Sequence, residues 1–433
     1  MREISILGAG MAGIGAAHRL YSEGIKSVIY EKNSYYGGHA ASFQSDGFIF
    51  DDGPHISFTK NERIQKLLAE NVNHQYEAFQ ARPNNYWKGY WIKHPAQCNL
   101  YGLPDKTVVD ILHDFIVAQT IEVGKIKNYK EWLFASFGKT FAEMFPMQYG
   151  EKFHTTAADN MTTEWIGPRL YQANLREVLI GALSPRTEDV HYVNQFRYPS
   201  QGGFISFFEP FTKKTNVRLN HELVELDIGD RKLKFANGTE THYDFLISSL
   251  PLPELIPMIS AVPDNVLAAS SKLACTTCVI VNIGIDRSDI SKAHWTYFYD
   301  KDFVFTRLTF PHMQSSKNVP PGAGSIQAEI YYSNKFRPLN DQPESFINPV
   351  IRDLKRCGII QENDKILFSD ARLIPYANVI FDLERPNALS KIHAYLDDIG
   401  IFYCGRYGEW GYLWTDESFL SGESAAQKVI DLL

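Results

Sequence analysis

Gly8-Ala-Gly10-Met-Ala-Gly13 is the first group in the chain whose residue types and spacing imply a chemistry. A glycine at Gly8 permits a tight turn, Gly10 lets a pyrophosphate approach bare backbone, and Gly13 lets a helix pack closely on a strand. The helix that follows offers free N–H groups and a partial positive charge to phosphates. Glu31 stands 23 residues after Gly8, where a carboxylate can accept ribose hydroxyls and disfavour a 2′-phosphate. Turn, spacing and acid together read as a dinucleotide site, not as a merely structural glycine turn.

These residues need elements to hold them. Ile4-Ser-Ile-Leu7 predicts a buried parallel strand, Met11 to Glu23 a helix closed by Gly24, and Ser27-Val-Ile-Tyr30 a second strand. The region from about 61 to 190 is mainly helical in pattern, and Val108 to Val123 has apolar residues at helical spacing. Strand-like segments recur at 216–226 and 244–249. Segments 274–285, 295–310 and 325–332 are rich in β-branched and aromatic residues and predict an antiparallel sheet. Ile401-Phe-Tyr-Cys404 reads as a last strand and Ser418 to Leu432 as a last helix. The expected class is α/β: a Rossmann-type, GR2-like dinucleotide domain built from 1–60, 195–270 and 395–433, a mainly helical insertion over 61–194, and an antiparallel-sheet substrate domain over 271–394.

The Gly8 fingerprint alone serves NAD as well as FAD. Tyr36-Gly37-Gly38-His39-Ala40-Ala41-Ser42 follows shortly after Glu31 and resembles the second flavin motif of the amine oxidase, protoporphyrinogen oxidase and UDP-galactopyranose mutase superfamily. Phe50-Asp-Asp-Gly-Pro-His55 continues the likeness, and the resemblance implies that His55 sits against the isoalloxazine. Cys404-Gly405-Arg406-Tyr407-Gly408-Glu409-Trp410, before Ser421-Gly-Glu-Ser-Ala-Ala426, resembles the closing motif, in which the Gly405-Arg406 pair would hold FAD phosphate. The cofactor implied is FAD, bound by Gly8, Gly10, Gly13, Glu31, Gly37, Gly38, Ser42, Gly405 and Arg406. No second GxGxxG is present, so a separate NAD(P)H domain is not indicated.

Within that superfamily the chain is most similar to UDP-galactopyranose mutases. Pro95-Ala-Gln97-Cys-Asn99 with Leu103-Pro104, and Phe137-Gly138-Lys139-Thr140, resemble family turns. Trp165-Ile-Gly167-Pro-Arg169 and Phe305-Thr-Arg307-Leu-Thr309 resemble segments whose arginines contact a sugar nucleotide's diphosphate; Glu329 follows, and Tyr376 and Tyr412 match tyrosines near the sugar. The resemblance implies pyranose–furanose interconversion of a UDP-sugar, as in cell-surface polysaccharide synthesis, on a flavin first reduced by an external reductant. His55, Arg169, Arg307, Tyr376 and Tyr412 would form the reactive end. Both arginines read equally as salt-bridging residues. The chain departs from the family at His94 and Ala96, where an aromatic pair is expected, and that leaves base recognition open. The competing class is a flavin amine oxidase or protoporphyrinogen oxidase-like oxidoreductase with an aromatic cage, to which Trp410, Tyr412 and Trp414 could contribute; a non-catalytic flavoprotein is the third.

Composition narrows the partners. The chain has 433 residues, net charge −7 and no basic run, which excludes nucleic acid as a main partner. Five scattered cysteines argue for a reducing, cytoplasmic setting, and the lone Cys275-Thr-Thr-Cys278 reads as buried strand and not as a metal site. No apolar run reaches the ~18 residues of a spanning helix. A homo-oligomer stays open.

Overall fold

The computed structural model describes residues 2–120 and 124–433. Residues 121–123, the end of the helix predicted over 108–123, lie outside the described residues; the helix itself is Asp105–Thr120.

Ile4–Leu7, Val28–Tyr30, Asn216–Arg218, Phe245–Ser248 and Ile401–Tyr403 form one five-stranded sheet, and every pairing in it is parallel. The Ile4–Leu7 strand is buried along its whole length, the pattern of a sheet covered on both faces. Helix Met11–Ser22 covers one face and packs against the last long helix, Thr415–Ile430. The two backbones press together at glycines: a Cβ on Gly15 would lie 2.1 Å from the Phe419 carbonyl oxygen, and one on Gly422 would lie 1.8 Å from that of Ala12. The two ends of the sequence are thereby fixed to each other, and the N-terminal and C-terminal glycine motifs meet.

The segment expected as one strand over 216–226 is two. Asn216–Arg218 joins the parallel sheet, Asn220 turns the chain at φ 56°, and Leu223–Asp227 starts a separate three-stranded antiparallel sheet with Lys232–Phe235 and Glu240–His242.

The second large sheet has seven strands, in the order Ile366–Ile374, Thr277–Ile285, Gly324–Tyr332, Arg307–Thr309, Trp295–Phe298, Pro83–Trp87 and Tyr90–Lys93. All neighbours are antiparallel except Trp295–Phe298 with Pro83–Trp87. Three features differ from the sequence expectation. The stretch 295–310 is two strands, Trp295–Phe298 and Arg307–Thr309. The region 61–194 is not all helix: it supplies the hairpin Pro83–Trp87/Tyr90–Lys93, closed by the left-handed pair Lys88 and Gly89. Its strands are too short and too polar for a period-two signal to emerge. Ile366–Ile374 lacked a signal as well, because its inward face carries Asp370 and Arg372 among the apolar positions.

Candidate active site

A cavity of about 590 Å³ lies between the two large sheets. Gly8, Glu31, Ser249 and Gly405, each just beyond the carboxyl end of a parallel strand, line one wall, the position where open α/β sheets bind ligands. Arg307, Glu329, Tyr331 and Arg372 from the seven-stranded sheet line the other.

The first wall is shaped by bare backbone. Gly37 donates its N–H to the Ala9 carbonyl at 2.8 Å, so the two glycine motifs run side by side. Gly38 has φ 56°, and a Cβ there would stand 3.1 Å from Gly10 Cα. Gly13 does not reach the cavity; its missing Cβ would lie 1.9 Å from the Gly8 carbonyl, so it serves helix–strand packing. Buried Glu31 accepts the Ala9 N–H at 2.8 Å and the Asn33 N–H at 2.9 Å, which fixes its carboxylate at the end of the second strand. Gly405 opens a short helical turn and donates its N–H to Ser421 Oγ at 2.8 Å. Exposed glycine backbone, a helix N-terminus and a fixed acid are the donor and acceptor set that a dinucleotide's diphosphate and ribose require.

Two residues expected at the cofactor behave differently. Ser42 does not line the cavity; its hydroxyl donates to Asp51 at 2.6 Å and accepts the Ile205 N–H at 3.2 Å. Arg406 lines the cavity but is largely committed to the wall: Nε donates to the Leu413 carbonyl at 2.8 Å, and Nη1 to Ala377 and Asn378 at 3.2 Å.

His55 lines the cavity. Its Nδ1 meets the Gly53 carbonyl at 2.8 Å, and a carbonyl can only accept, so Nδ1 carries the proton. Burial pushes its pKa down to about 4 and keeps the ring neutral. Behind it, buried Asp51 accepts from Ser42, from Tyr198 Oη at 2.7 Å and from the Phe204 N–H at 2.9 Å. Phe204 in turn packs its ring 5.3 Å from that of His55. Burial raises the Asp51 carboxyl to about 6 against these donors.

On the other wall, Arg307 and Glu329 face each other across neighbouring strands and form a two-point pair, Nε–Oε1 and Nη2–Oε2 both 2.8 Å. Glu329 is fully buried and also accepts the Tyr331 hydroxyl. Burial is the largest single influence and opposes the Arg307 charge, but the Glu329 carboxylate, its hydrogen bonds and the neighbouring Tyr331 and Tyr149 together outweigh it and hold the guanidinium well above its ordinary pKa. Tyr192, Tyr297, Tyr376 and Tyr412 add further cavity-lining rings. Burial raises the pKa of Tyr192, Tyr297, Tyr331 and Tyr376, so these remain protonated donors at neutral pH.

Arg169, expected beside the diphosphate, does not line the cavity. Its guanidinium is sandwiched between the Tyr412 and Trp414 rings at 4.3 Å each and donates to the Trp165 and Tyr412 carbonyls. Of the three aromatics that could have formed an oxidase cage, Trp410 is fully buried away from the cavity, whereas Tyr412 and Trp414 line it. The Gln97 and Asn99 amides hold the Tyr171 and Pro95 carbonyls and lie outside the cavity. Cys278 lines the cavity, and among the described residues no three His, Cys, Asp or Glu side chains converge as a metal site. Sequence patterns gave no signal for Glu254, Arg372, Gln314 or Tyr297, which tertiary packing brings to the cavity from separate elements.

Comparison with known proteins matches residues 11–430 to the family of flavin containing amine oxidoreductases. A curated relative, a 4,4'-diapophytoene desaturase (4,4'-diaponeurosporene-forming) of Staphylococcus aureus (strain Newman), is 44% identical over 343 residues, covering 69% of this chain and 66% of that protein. The corresponding desaturase of Staphylococcus haemolyticus (strain JCSC1435) is 37% identical over 76 residues, covering 18% of this chain and 15% of that protein. The chain thus spans less than two thirds of the length of these relatives. Among solved structures, a reduced UDP-galactopyranose mutase superposes with a TM-score of 0.94 at 25% identity, covering 100% of this chain and 96% of that one. A putative protoporphyrinogen oxidase from Exiguobacterium sp. 255-15 shares the fold with a TM-score of 0.78 at 14% identity, covering 100% and 99%. No helix among the described residues is long and apolar enough to cross a membrane. With the family match covering residues 11–430, nearly the whole chain, the chain belongs to the flavin-containing amine oxidoreductase family and is an FAD-dependent flavoenzyme.

Proposed function

We propose that this flavoenzyme acts on a nucleotide-diphosphate sugar and interconverts its pyranose and furanose forms without net oxidation. The observation that carries this reading is the buried Arg307–Glu329 pair, with tyrosine side chains near it, on the cavity wall that the seven-stranded sheet supplies. Reduced FAD would supply the nucleophile that displaces the diphosphate from the anomeric carbon.

The chain's own residues have definable work in that reaction. Glu329 takes the Nε and Nη2 edge of Arg307 and leaves Nη1 without a protein partner among the described residues, available to a phosphate oxygen of the departing diphosphate. Tyrosine hydroxyls donate to the same oxygens without adding charge. His55, neutral and with Nε2 free to accept, would be one of the residues that hold the flavin. Arg169 reaches the substrate only after leaving the Tyr412–Trp414 sandwich; its Nε, buried without a partner, favours such a release. Tyr192 also borders a second cavity of about 620 Å³, whose walls include Trp132 and Tyr171, flat surfaces suited to a nucleobase. Five free cysteines fit a reducing cytoplasm, and the product fits cell-surface polysaccharide synthesis.

The second reading is oxidation of an apolar polyene or an amine, favoured by the 44% identity to diapophytoene desaturases. A hydrocarbon laid against Arg307 and Glu329 would exclude water from their remaining hydrogen-bonding capacity and offer nothing in return. The deciding experiment uses dithionite-reduced, FAD-loaded protein with UDP-galactofuranose and related UDP-sugars. Ring interconversion is expected. Absence of both interconversion and UDP binding, with anaerobic flavin reduction by an amine or by diapophytoene, would establish the oxidoreductase instead.

A further inference from the structure

The cavity-facing side of the seven-stranded sheet carries two cross-strand rows of side chains. One row runs through Tyr297, Arg307, Glu329, Ile280 and Arg372; the next runs through Trp295, Thr309, Gln327, Asn282 and Asp370. Most polar members are satisfied within the protein. Gln327 donates to Asn282 and to the Asp51 carbonyl, each at 2.9 Å, and Asn282 donates to Asp370 at 2.8 Å. Two atoms are exceptions: Arg372 Nε has no hydrogen bond but lies 3.4 Å from the Asp52 carboxylate, whereas Thr309, 2% exposed and lining the cavity, has an Oγ1 with no hydrogen-bond partner among the described residues.

Gln314 joins it from the loop that follows the strand. Its backbone N–H is bound to the Pro311 carbonyl at 3.1 Å, its side-chain amide has no hydrogen-bond partner among the described residues, and the residue is 2% exposed and lines the same cavity. Buried polar side chains are almost always paired, so the orphaned Thr309 hydroxyl, with the Gln314 amide lining the same cavity, points to a ligand that pairs them. A neutral amide and a hydroxyl each donate and accept, as do the hydroxyls of a sugar. Neither is charged, so a phosphate would prefer Arg307, and neither suits a hydrocarbon. Thr309 lies two residues beyond Arg307, which places it on the same face roughly 6–7 Å along the strand, the scale of one sugar ring.

We propose that Gln314 and Thr309 are specificity-determining residues that hydrogen-bond the hydroxyl groups of the substrate's sugar while Arg307 faces its diphosphate. This assignment rests on the sugar-nucleotide reading above. It also makes the site selective for an intact polyol: a wrong ligand leaves both groups unpaired.

The test uses near-isosteric variants, Gln314→Met and Thr309→Val, in FAD-loaded protein. Affinities for UDP, for UDP-galactose and for a UDP-deoxygalactose are measured, together with flavin content and absorbance. For each variant the expected result is an unchanged flavin spectrum, UDP affinity within about twofold of wild type, and UDP-galactose affinity lower by about 5- to 150-fold, corresponding to ~1–3 kcal/mol for an unmade buried hydrogen bond. Removing the matching hydroxyl from the ligand should weaken wild-type binding and leave the variant's binding nearly unaffected. Variants that bind UDP-galactose as wild type does would overturn the assignment. So would variants that lose FAD or shift its spectrum while keeping the sugar's contribution, since the two groups would then face the cofactor. Wild-type protein that binds neither UDP nor UDP-galactose overturns the sugar-nucleotide reading and this assignment with it. Intact wild-type binding with unaffected variants overturns this assignment alone.

Discussion

Replacing Arg307 by alanine separates a structural role from a ligand-binding one. The change removes both 2.8 Å bonds to Glu329, which is fully buried and keeps only the Tyr331 hydroxyl. Breaking one side of a buried ion pair costs about 3–5 kcal/mol, because the surviving charge stays desolvated. An unfolding entropy of about 2.1 cal/mol/K per residue over 433 residues gives roughly 0.9 kcal/mol per degree, so the melting temperature should fall by about 3–5 °C. Loss of a charged hydrogen bond to phosphate should weaken UDP binding by about 10- to 150-fold, the equivalent of ~1.5–3 kcal/mol. The decisive comparison is the double variant Arg307→Met/Glu329→Leu. Replacing both charges with apolar side chains of similar volume restores stability in the buried-pair argument. It does not restore a diphosphate ligand. Calorimetric melting and UDP titration of the flavin-loaded proteins read the two effects independently. If the double variant recovers both stability and UDP affinity, Arg307 is only a structural partner. If Arg307→Ala costs under about 1 kcal/mol, the account of the pair itself is wrong.

Two further outcomes follow from the first wall and its support. A Cβ on Gly10 would have 4.0 Å to its nearest neighbour, whereas one on Gly13 would strike the Gly8 carbonyl at 1.9 Å. Gly10→Ala should therefore leave the apoprotein's melting temperature nearly unchanged and lower FAD retention, read as the flavin-to-protein absorbance ratio, while Gly13→Ala should lower both. Asp51 gives a pH signature. Its carboxyl stands at about 6 in the fold against 3.8 as reference, so its contribution is most favourable below about pH 4 and is lost as pH rises through 6. The lost part is roughly 3 kcal/mol at pH 7, from about 1.36 kcal/mol per pH unit. Asp51→Asn should remove that slope between pH 4 and 7 in melting experiments; an unaltered slope would show that Asp51 is not the titrating group.

Sequence alone determined what depends on local backbone geometry. Gly8, Gly10 and Gly13 with Glu31 specify a phosphate turn, because only glycine permits those close approaches and the contacts lie within one βαβ unit. The same holds for the helix Met11–Ser22 and for the apolar strands Thr277–Ile285 and Gly324–Tyr332, whose side-chain patterns are read a few residues at a time. Tertiary structure decided what depends on register and on distant partners. Arg307 meets Glu329 only because two antiparallel strands pair in that register, and a one-residue slip would turn one of them away from the cavity. Arg169, alike in type and in family motif, was instead taken by the rings of Tyr412 and Trp414 some 240 residues later in the chain, a cation–π contact that no local pattern records. Ile366–Ile374 escaped the sequence reading because Arg372 on it faces a cavity inside the protein, where polarity no longer marks the surface, and the Pro83–Lys93 hairpin because its two strands are only five and four residues long. Thr309 belongs with them: only the closed fold leaves its hydroxyl buried and unpaired, with Gln314 lining the same cavity.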